Sequence, residues 1–153
     1  CVSSVEYRVR INDDETESFK PTRGLRQGDP LSPYLFLLCT EGLTALLANA
    51  EENGNISGIK VCRDAPSISN LLFADDSLIL MRANPMSAEA LKSLLDSYCA
   101  ASGQMVSVEK SSIFFSPNTK VEDKAQICTI LNIMTEALND KYLGLPANVG
   151  GQK

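Results

Sequence analysis

Leu71-Leu72-Phe73-Ala74-Asp75-Asp76-Ser77-Leu78-Ile79-Leu80-Met81 sets two adjacent carboxylates between two aliphatic runs. Aliphatic runs bounded by turn residues favour strands, so the stretch is expected to form a hairpin whose turn bears a charge pair. Two carboxylates held this close repel unless a cation or a donor neutralises them, and hard oxygen ligands suit Mg²⁺. Acids are equally common in ordinary solvated turns. The hairpin alone leaves both readings open.

Upstream, Pro21-Thr22-Arg23-Gly24-Leu25-Arg26-Gln27-Gly28-Asp29-Pro30-Leu31-Ser32-Pro33 combines glycines, prolines, two arginines, a glutamine and an acid in one short loop. Ser32 is placed to cap a helix with Pro33 in its first turn, running through Leu35, Leu38, Leu43 and Leu47 toward Asn53-Gly54. The first half of that helix is apolar on nearly every face, which predicts burial all round. Arg23 and Arg26 bring positive charge, Gly24 and Gly28 permit close backbone approach, and a helix N-terminus favours anions, so the loop suits a phosphate. A plain Gly-Pro entry into a helix would use the same residues.

Farther out, Val5 to Phe19 alternates as a hairpin around Asn12-Asp13-Asp14, whose acids read as a solvated turn. Ile59 to Val61 and Ile68 to Phe73 are expected as strands about a turn at Asp64-Ala65-Pro66. Asn84 or Ser87 caps a second helix with an apolar stripe at Leu91, Leu94, Leu95, Tyr98 and Cys99; Gly103 ends it, and the stripe predicts packing on a sheet. Met105 to Val108, Ile113 to Phe115 and Tyr142 to Leu145 are expected as short strands, with Thr119 capping a third helix. Such a mixture predicts an α+β fold, an antiparallel sheet with helices on one face.

Composition narrows the chemistry. The 153 residues, 44% hydrophobic and 22% charged, suit one core-forming domain. No uninterrupted run of about 18 apolar residues predicts a membrane span, and the start lacks a signal peptide, which predicts an intracellular protein. Five scattered cysteines without C-x-x-C spacing argue against a disulfide framework and against zinc, and read as small core residues. The absence of His removes Ser-His and Cys-His catalysis, so carboxylates, Lys, Arg and backbone must act. A net charge of −5 counts against a nucleic-acid partner. Cys1 leads straight into a strand pattern, which suggests a piece of a larger domain.

Taken together, Arg23-Gly24-Leu25-Arg26-Gln27-Gly28-Asp29-Pro30-Leu31-Ser32-Pro33, Phe73-Ala74-Asp75-Asp76, Ser102-Gly103-Gln104 with Lys110-Ser111, and Tyr142-Leu143-Gly144-Leu145 resemble the reverse transcriptases of non-LTR, LINE-like retrotransposons, particularly those of plants. The resemblance implies a right-hand polymerase, with residues 1–146 as a partial palm and 147–153 leading toward a thumb. It implies Asp75 and Asp76 as catalytic acids and ligands of Mg²⁺, two ions in the complete enzyme. Asp76 is expected to be the more peripheral ligand, since neighbouring strand side chains face opposite ways. Arg26, Gln27 and Gly28 fall at the incoming nucleotide, Phe73 and Ala74 at the primer end, and Tyr142, Leu143 and Gly144 at a primer grip. Lys110 falls where a lysine would protonate departing pyrophosphate; a solvated lysine reads the same.

The implied partners are an RNA template, a DNA primer, deoxynucleoside triphosphates and the rest of the polymerase. No membrane or zinc is expected, and the habit of such elements implies the nucleus. One departure matters: before residue 23 only Glu6, Asp13, Asp14, Glu15 and Glu17 are acidic, all in a hairpin pattern, so the family's third carboxylate has no counterpart. This chain alone is therefore expected to be inactive. The competing expectation is a catalytically dead retroelement remnant serving as a binding module, and a small metal-dependent phosphatase or nuclease is disfavoured for want of further acids or His.

Overall fold

The computed structural model describes residues 4–22 and 24–135, and the backbone of 141–142 and 145–146. Strand β1 (Arg10–Ile11) pairs antiparallel with β2 (Asp14–Glu15) across Asn12 and Asp13, both left-handed with φ of 50° and 70°. Asn and Asp tolerate that region better than other side-chain-bearing residues, so this two-residue turn suits its sequence. Asp14 belongs to the returning strand, not to the turn. Beyond the short ladder, Tyr7 and Phe19 exchange backbone bonds of 2.9 Å and stack their rings at 6.0 Å.

Helix α1 (Ser32–Glu52) begins differently from expectation. Leu31 holds the cap position, and the Ser32 hydroxyl donates to the Arg26 carbonyl at 2.8 Å instead of capping. The Asp29 carboxylate does the local work, accepting from the Leu31 amide at 2.8 Å. The far end agrees with the sequence: Asn53 closes the helix and Gly54 follows at φ 74°.

The expected burial of α1 on all sides does not hold. Leu43 and Leu47, one turn apart, are buried, whereas Tyr34 and Leu38 are 67% and 69% exposed. Only α2 and β3 pack on this helix among the described elements, and two neighbours cannot cover a whole cylinder. By length and mean hydropathy, 1.2, α1 is long and apolar enough to cross a bilayer, although it contains no uninterrupted apolar run of that length. Thr40 and Glu41 interrupt it near mid-length, and Leu43 and Leu47 face protein.

Strands β3 (Asn70–Phe73) and β4 (Asp76–Ile79) form the expected second hairpin. Helix α2 (Pro85–Ser102) is capped by Asn84, whose carbonyl oxygen accepts from the Ser87 amide at 2.8 Å, and ends at Gly103 with φ 73°. Helix α3 (Val121–Leu131) starts after Lys120 with no side-chain cap, so Thr119 does not serve as one. Strands β5 (Lys141–Tyr142) and β6 (Leu145–Pro146) make a last antiparallel pair.

Two apolar clusters hold the chain. Leu43, Leu47, Ile56, Leu91 and Tyr98 join α1 to α2, with Leu72 and Ile79 packed on them. Ala88, Phe115 and Ile127 join α2 to α3. Mixed helices and small antiparallel sheets fit the expected α+β class, but the described strands form three separate two-stranded pairs and not one sheet. Helix α2 lies on α1 and α3, and its Leu91 and Tyr98 belong to the cluster on which Leu72 and Ile79 of the second hairpin pack. Ile59 meets Ile68 in an isolated bridge only, and Val108–Lys110 winds into a 3₁₀ turn closed by the Ser111 amide on the Val108 carbonyl at 3.1 Å. The ring of Phe115 is buried between α2 and α3. Cysteines 39, 99 and 128 are half-buried as small core residues should be, while Cys62 is exposed in a loop.

Candidate active site

The register of the acid-bearing hairpin fixes its tip. Phe73 pairs with Asp76, leaving Ala74 and Asp75 as a two-residue turn. Asp75 is therefore a turn residue and Asp76 the first residue of β4, so the carboxylates leave the backbone from different settings. Both are exposed. Ala74 has φ 51°, a region that side-chain-bearing residues enter at a cost of roughly 1–3 kcal/mol. Leu72 turns toward the core while Leu71 and Phe73 are exposed, so only one face of the hairpin is covered.

Helix α1 runs antiparallel to β3. The Asn70 amide donates to the Thr44 hydroxyl at 3.4 Å, and nearer the tip a cleft of about 290 Å³ is lined by Pro33, Phe36, Leu37, Thr40, Leu72 and Ala74. The first turns of α1 therefore lie at the hairpin tip. That juxtaposition brings the helix entered from the Arg-Gln-Gly loop to the acidic pair; of the residues lining the cleft Ala74 was expected at the site, whereas Phe36, Leu37 and Leu72 were not. Their signal was an apolar helix start too long for a one-faced core.

The loop is tightly built. Asp29 donates its amide to the Arg26 carbonyl at 3.3 Å, closing a turn with Gln27 and Gly28 at its centre. Gly28 has φ 84°, as the third position of a type II turn requires, and an added Cβ would meet no atom within 4 Å. Conformation and not space thus demands glycine there. Arg26, Gln27 and Gly28 are exposed, and Arg26 also borders a cavity of about 260 Å³ against Tyr7, Phe19 and Leu35. Arg23 lies outside the described residues.

Lys110 stands apart from these elements. It is exposed at the end of its 3₁₀ turn, and among the described residues it forms no ion pair with Asp75 or Asp76. Tyr142 is paired with Leu145 in the last hairpin; Leu143 and Gly144 fall outside the described residues.

The donor set suits a hard cation in kind but is sparse. Among the described residues no three His, Cys, Asp or Glu side chains gather. Of the acids before residue 23, Glu6 pairs with Lys20 at 3.2 Å, Asp13 with Arg10 at 3.5 Å and Glu15 with Arg8 at 3.5 Å. They serve the first hairpin.

At the other end of α1, Glu51 accepts from the Gly58 amide at 3.2 Å. The Ser67 hydroxyl above all, with Gly58, Ser69 and Lys60 adding, holds its carboxyl below the ordinary 4.5 against an opposing push from burial. Sequence reasoning did not find this group.

The model of the family described as reverse transcriptase (RNA-dependent DNA polymerase) matches residues 2–147. An uncharacterized mitochondrial protein of Arabidopsis thaliana is 61% identical over 57 residues, which are 37% of this chain and 47% of that protein. The chain thus spans about half the length of that curated relative. No solved structure matches.

Proposed function

Because the chain belongs to the reverse transcriptase (RNA-dependent DNA polymerase) family, we propose that it forms part of the palm of a non-LTR, LINE-like polymerase. Residues 1–146 make the palm portion and 147–153 lead toward a thumb. The complete enzyme adds deoxynucleotides to a primer 3′-hydroxyl against an RNA template. The observation that carries this reading is the placement of Asp75 in a strained two-residue turn and of Asp76 at the start of β4, beside the first turns of α1.

Asp75 and Asp76 hold Mg²⁺ in this reading, since that ion commonly takes one or two carboxylates and completes its shell with water and substrate phosphates. Bound there, it would acidify the attacking hydroxyl and neutralise phosphate charge. The chain's own groups do the positioning. The Gln27-Gly28 bend offers backbone to the nucleotide with Arg26 beside it, and Phe73 and Ala74 border the primer end. Lys110 delivers a proton to pyrophosphate only after its 3₁₀ turn is carried to the acids. Tyr142, Leu143 and Gly144 grip the primer.

Alone, the chain is inactive in this reading: two carboxylates supply few of the oxygen ligands that two octahedral dications need. The same sparse donor set favours a second reading, a catalytically dead remnant acting as a binding module. Primer extension on an RNA template with Mg²⁺ tests both. No incorporation is expected from residues 1–153 alone. Incorporation abolished by Asp75→Asn would overturn the inactivity and keep the polymerase reading; incorporation that survives the change would overturn the acid assignment. Mn²⁺ should broaden the NMR signals of Ala74 and Asp76 in the wild type and not in Asp75→Asn. Nuclear residence is proposed from the family's habit, and a fluorescent fusion found in mitochondria, where the Arabidopsis relative is placed by name, would overturn it.

A further inference from the structure

The contact at Glu51 sits at the root of the acid-bearing hairpin. Gly58 passes between helix and strand with no spare room: an added Cβ would stand 2.6 Å from Ser67 Oγ, 2.7 Å from the Ile68 carbonyl oxygen and 2.9 Å from Glu51 Oε1. Its neighbour Ile59 exchanges backbone bonds of 2.9 and 2.8 Å with Ile68. The Ser69 carbonyl accepts from Leu80 at 2.8 Å, and Arg82 donates to the Ser57 carbonyl at 2.9 Å. Segment 57–59, the lead into β3 and the segment after β4 thus form one small ladder, which Glu51 fastens to the last turn of α1.

From this root β3 runs back along α1, past Thr44, to the cleft that Ala74 lines together with Pro33 and Phe36. A hydrogen-bonded strand pair is stiff along its length, so the height at which its root is fixed decides where its tip lies. Other ties along this interface are weak in direction. The Asn70–Thr44 bond is long and neutral, and the cleft is apolar and can slide. The Glu51 carboxylate is a charged acceptor, so its bond from the Gly58 amide is stronger than a neutral one of similar length.

We propose that Glu51 is a positioning residue: by clamping Gly58 and Ser67 it sets the height of the acid-bearing hairpin along α1, and so the placement of Asp75 and Asp76 against the Arg26-Gln27-Gly28 loop. Its bearing on catalysis rests on the function proposed above, whereas the geometry can be read without it.

NMR on the 153-residue chain tests the clamp. In the wild type the Ala74 methyl is expected to give cross-relaxation to the Phe36 and Leu37 side chains that line the same cleft, and the Gly58 amide to exchange slowly. Glu51→Ala is expected to speed exchange at Gly58 and Ile68 by about tenfold or more and to remove the Ala74 contacts. Glu51→Gln, which keeps an acceptor of the same reach, should stay within about threefold of the wild type and retain those contacts. Unchanged Ala74 contacts in Glu51→Ala overturn the proposal even where Gly58 exchange rises, because the carboxylate then ties only a loop. Should Glu51→Ala not fold, Gly58→Ala forces the same atoms apart from the other side; contacts of Ala74 that survive it overturn the proposal equally. Mn²⁺ broadening reports on the acidic pair separately, so its absence refutes the metal reading while the Ala74 contacts still decide the role of Glu51.

Discussion

Replacing Ala74 by glycine should stabilise the chain, although it removes a side chain from the middle of the site. The residue sits at φ 51°, where Cβ crowds the backbone at a cost of roughly 1–2 kcal/mol. Glycine removes that crowding but enlarges the freedom of the unfolded chain, a loss of roughly 0.4–1 kcal/mol. The methyl group is exposed, so the burial forfeited is well under the roughly 0.8 kcal/mol of a buried methylene. The balance favours glycine by about 0.5–1 kcal/mol, or about 1–4 °C in Tm for a chain of this size. Valine at the same place adds a branched Cβ and should cost about 1–3 kcal/mol. Urea unfolding followed by circular dichroism, with equal slopes demanded of all variants, measures both. Asn12→Gly is the control: Asn12 is also left-handed, but asparagine tolerates the region and the change should be near zero. A destabilised Ala74→Gly, or Ala74→Val as stable as the wild type, would refute the left-handed tip.

Three further outcomes are expected. Leu47→Ala, at a position 0% exposed between α1 and α2, should cost about 2–5 kcal/mol in the same urea experiment. Asn84→Ala should cost about 1 kcal/mol or somewhat more, since it removes the α2 cap and also the amide that donates to the Ser87 hydroxyl at 3.0 Å. Acid should weaken the fold through Glu51: its folded pKa lies below 4.5, so its contribution is complete above that value and disappears as pH falls through the lowered one. Glu51→Gln should flatten this part of the stability–pH curve, read by thermal melts between about pH 5 and 3.

Those elements that local chemistry decides were legible in the sequence. Asn84-Pro85 and Gly103 bound α2 because a cap and a left-handed glycine act within one turn of the chain. Phe73-Ala74-Asp75-Asp76 made a hairpin tip because the flanking aliphatic runs could pair with each other. Ser32 misled because the helix starts one residue earlier than the cap pattern suggests: Leu31 holds the cap position, and the Ser32 hydroxyl donates to the Arg26 carbonyl. The chain around Lys110 misled because alternating Met105 to Val108 has no strand to pair with among the described residues, and unpaired backbone closes on itself. The single sheet was illegible for the same reason: alternation tells which face is apolar, never which strand lies alongside. Glu51 gave no local signal at all, because its donors come from seven and more residues away.

The exposed face of α1 and the exposure of the acids belong to one problem. Carboxylates in open water are well solvated, and metal-dependent phosphoryl transfer gains most where water is excluded and charges interact at close quarters. Leu37 lines the cleft and is 57% exposed, and Phe73, on the strand that ends at the tip, is 59% exposed. Covering these apolar groups would dry the neighbourhood of Asp75 and Asp76 as it buried hydrophobic area. Left uncovered, the same surface promotes self-association. In the polymerase reading, a partner seated on the N-terminal half of α1 would therefore do two things at once, covering the exposed apolar surface and drying the acids.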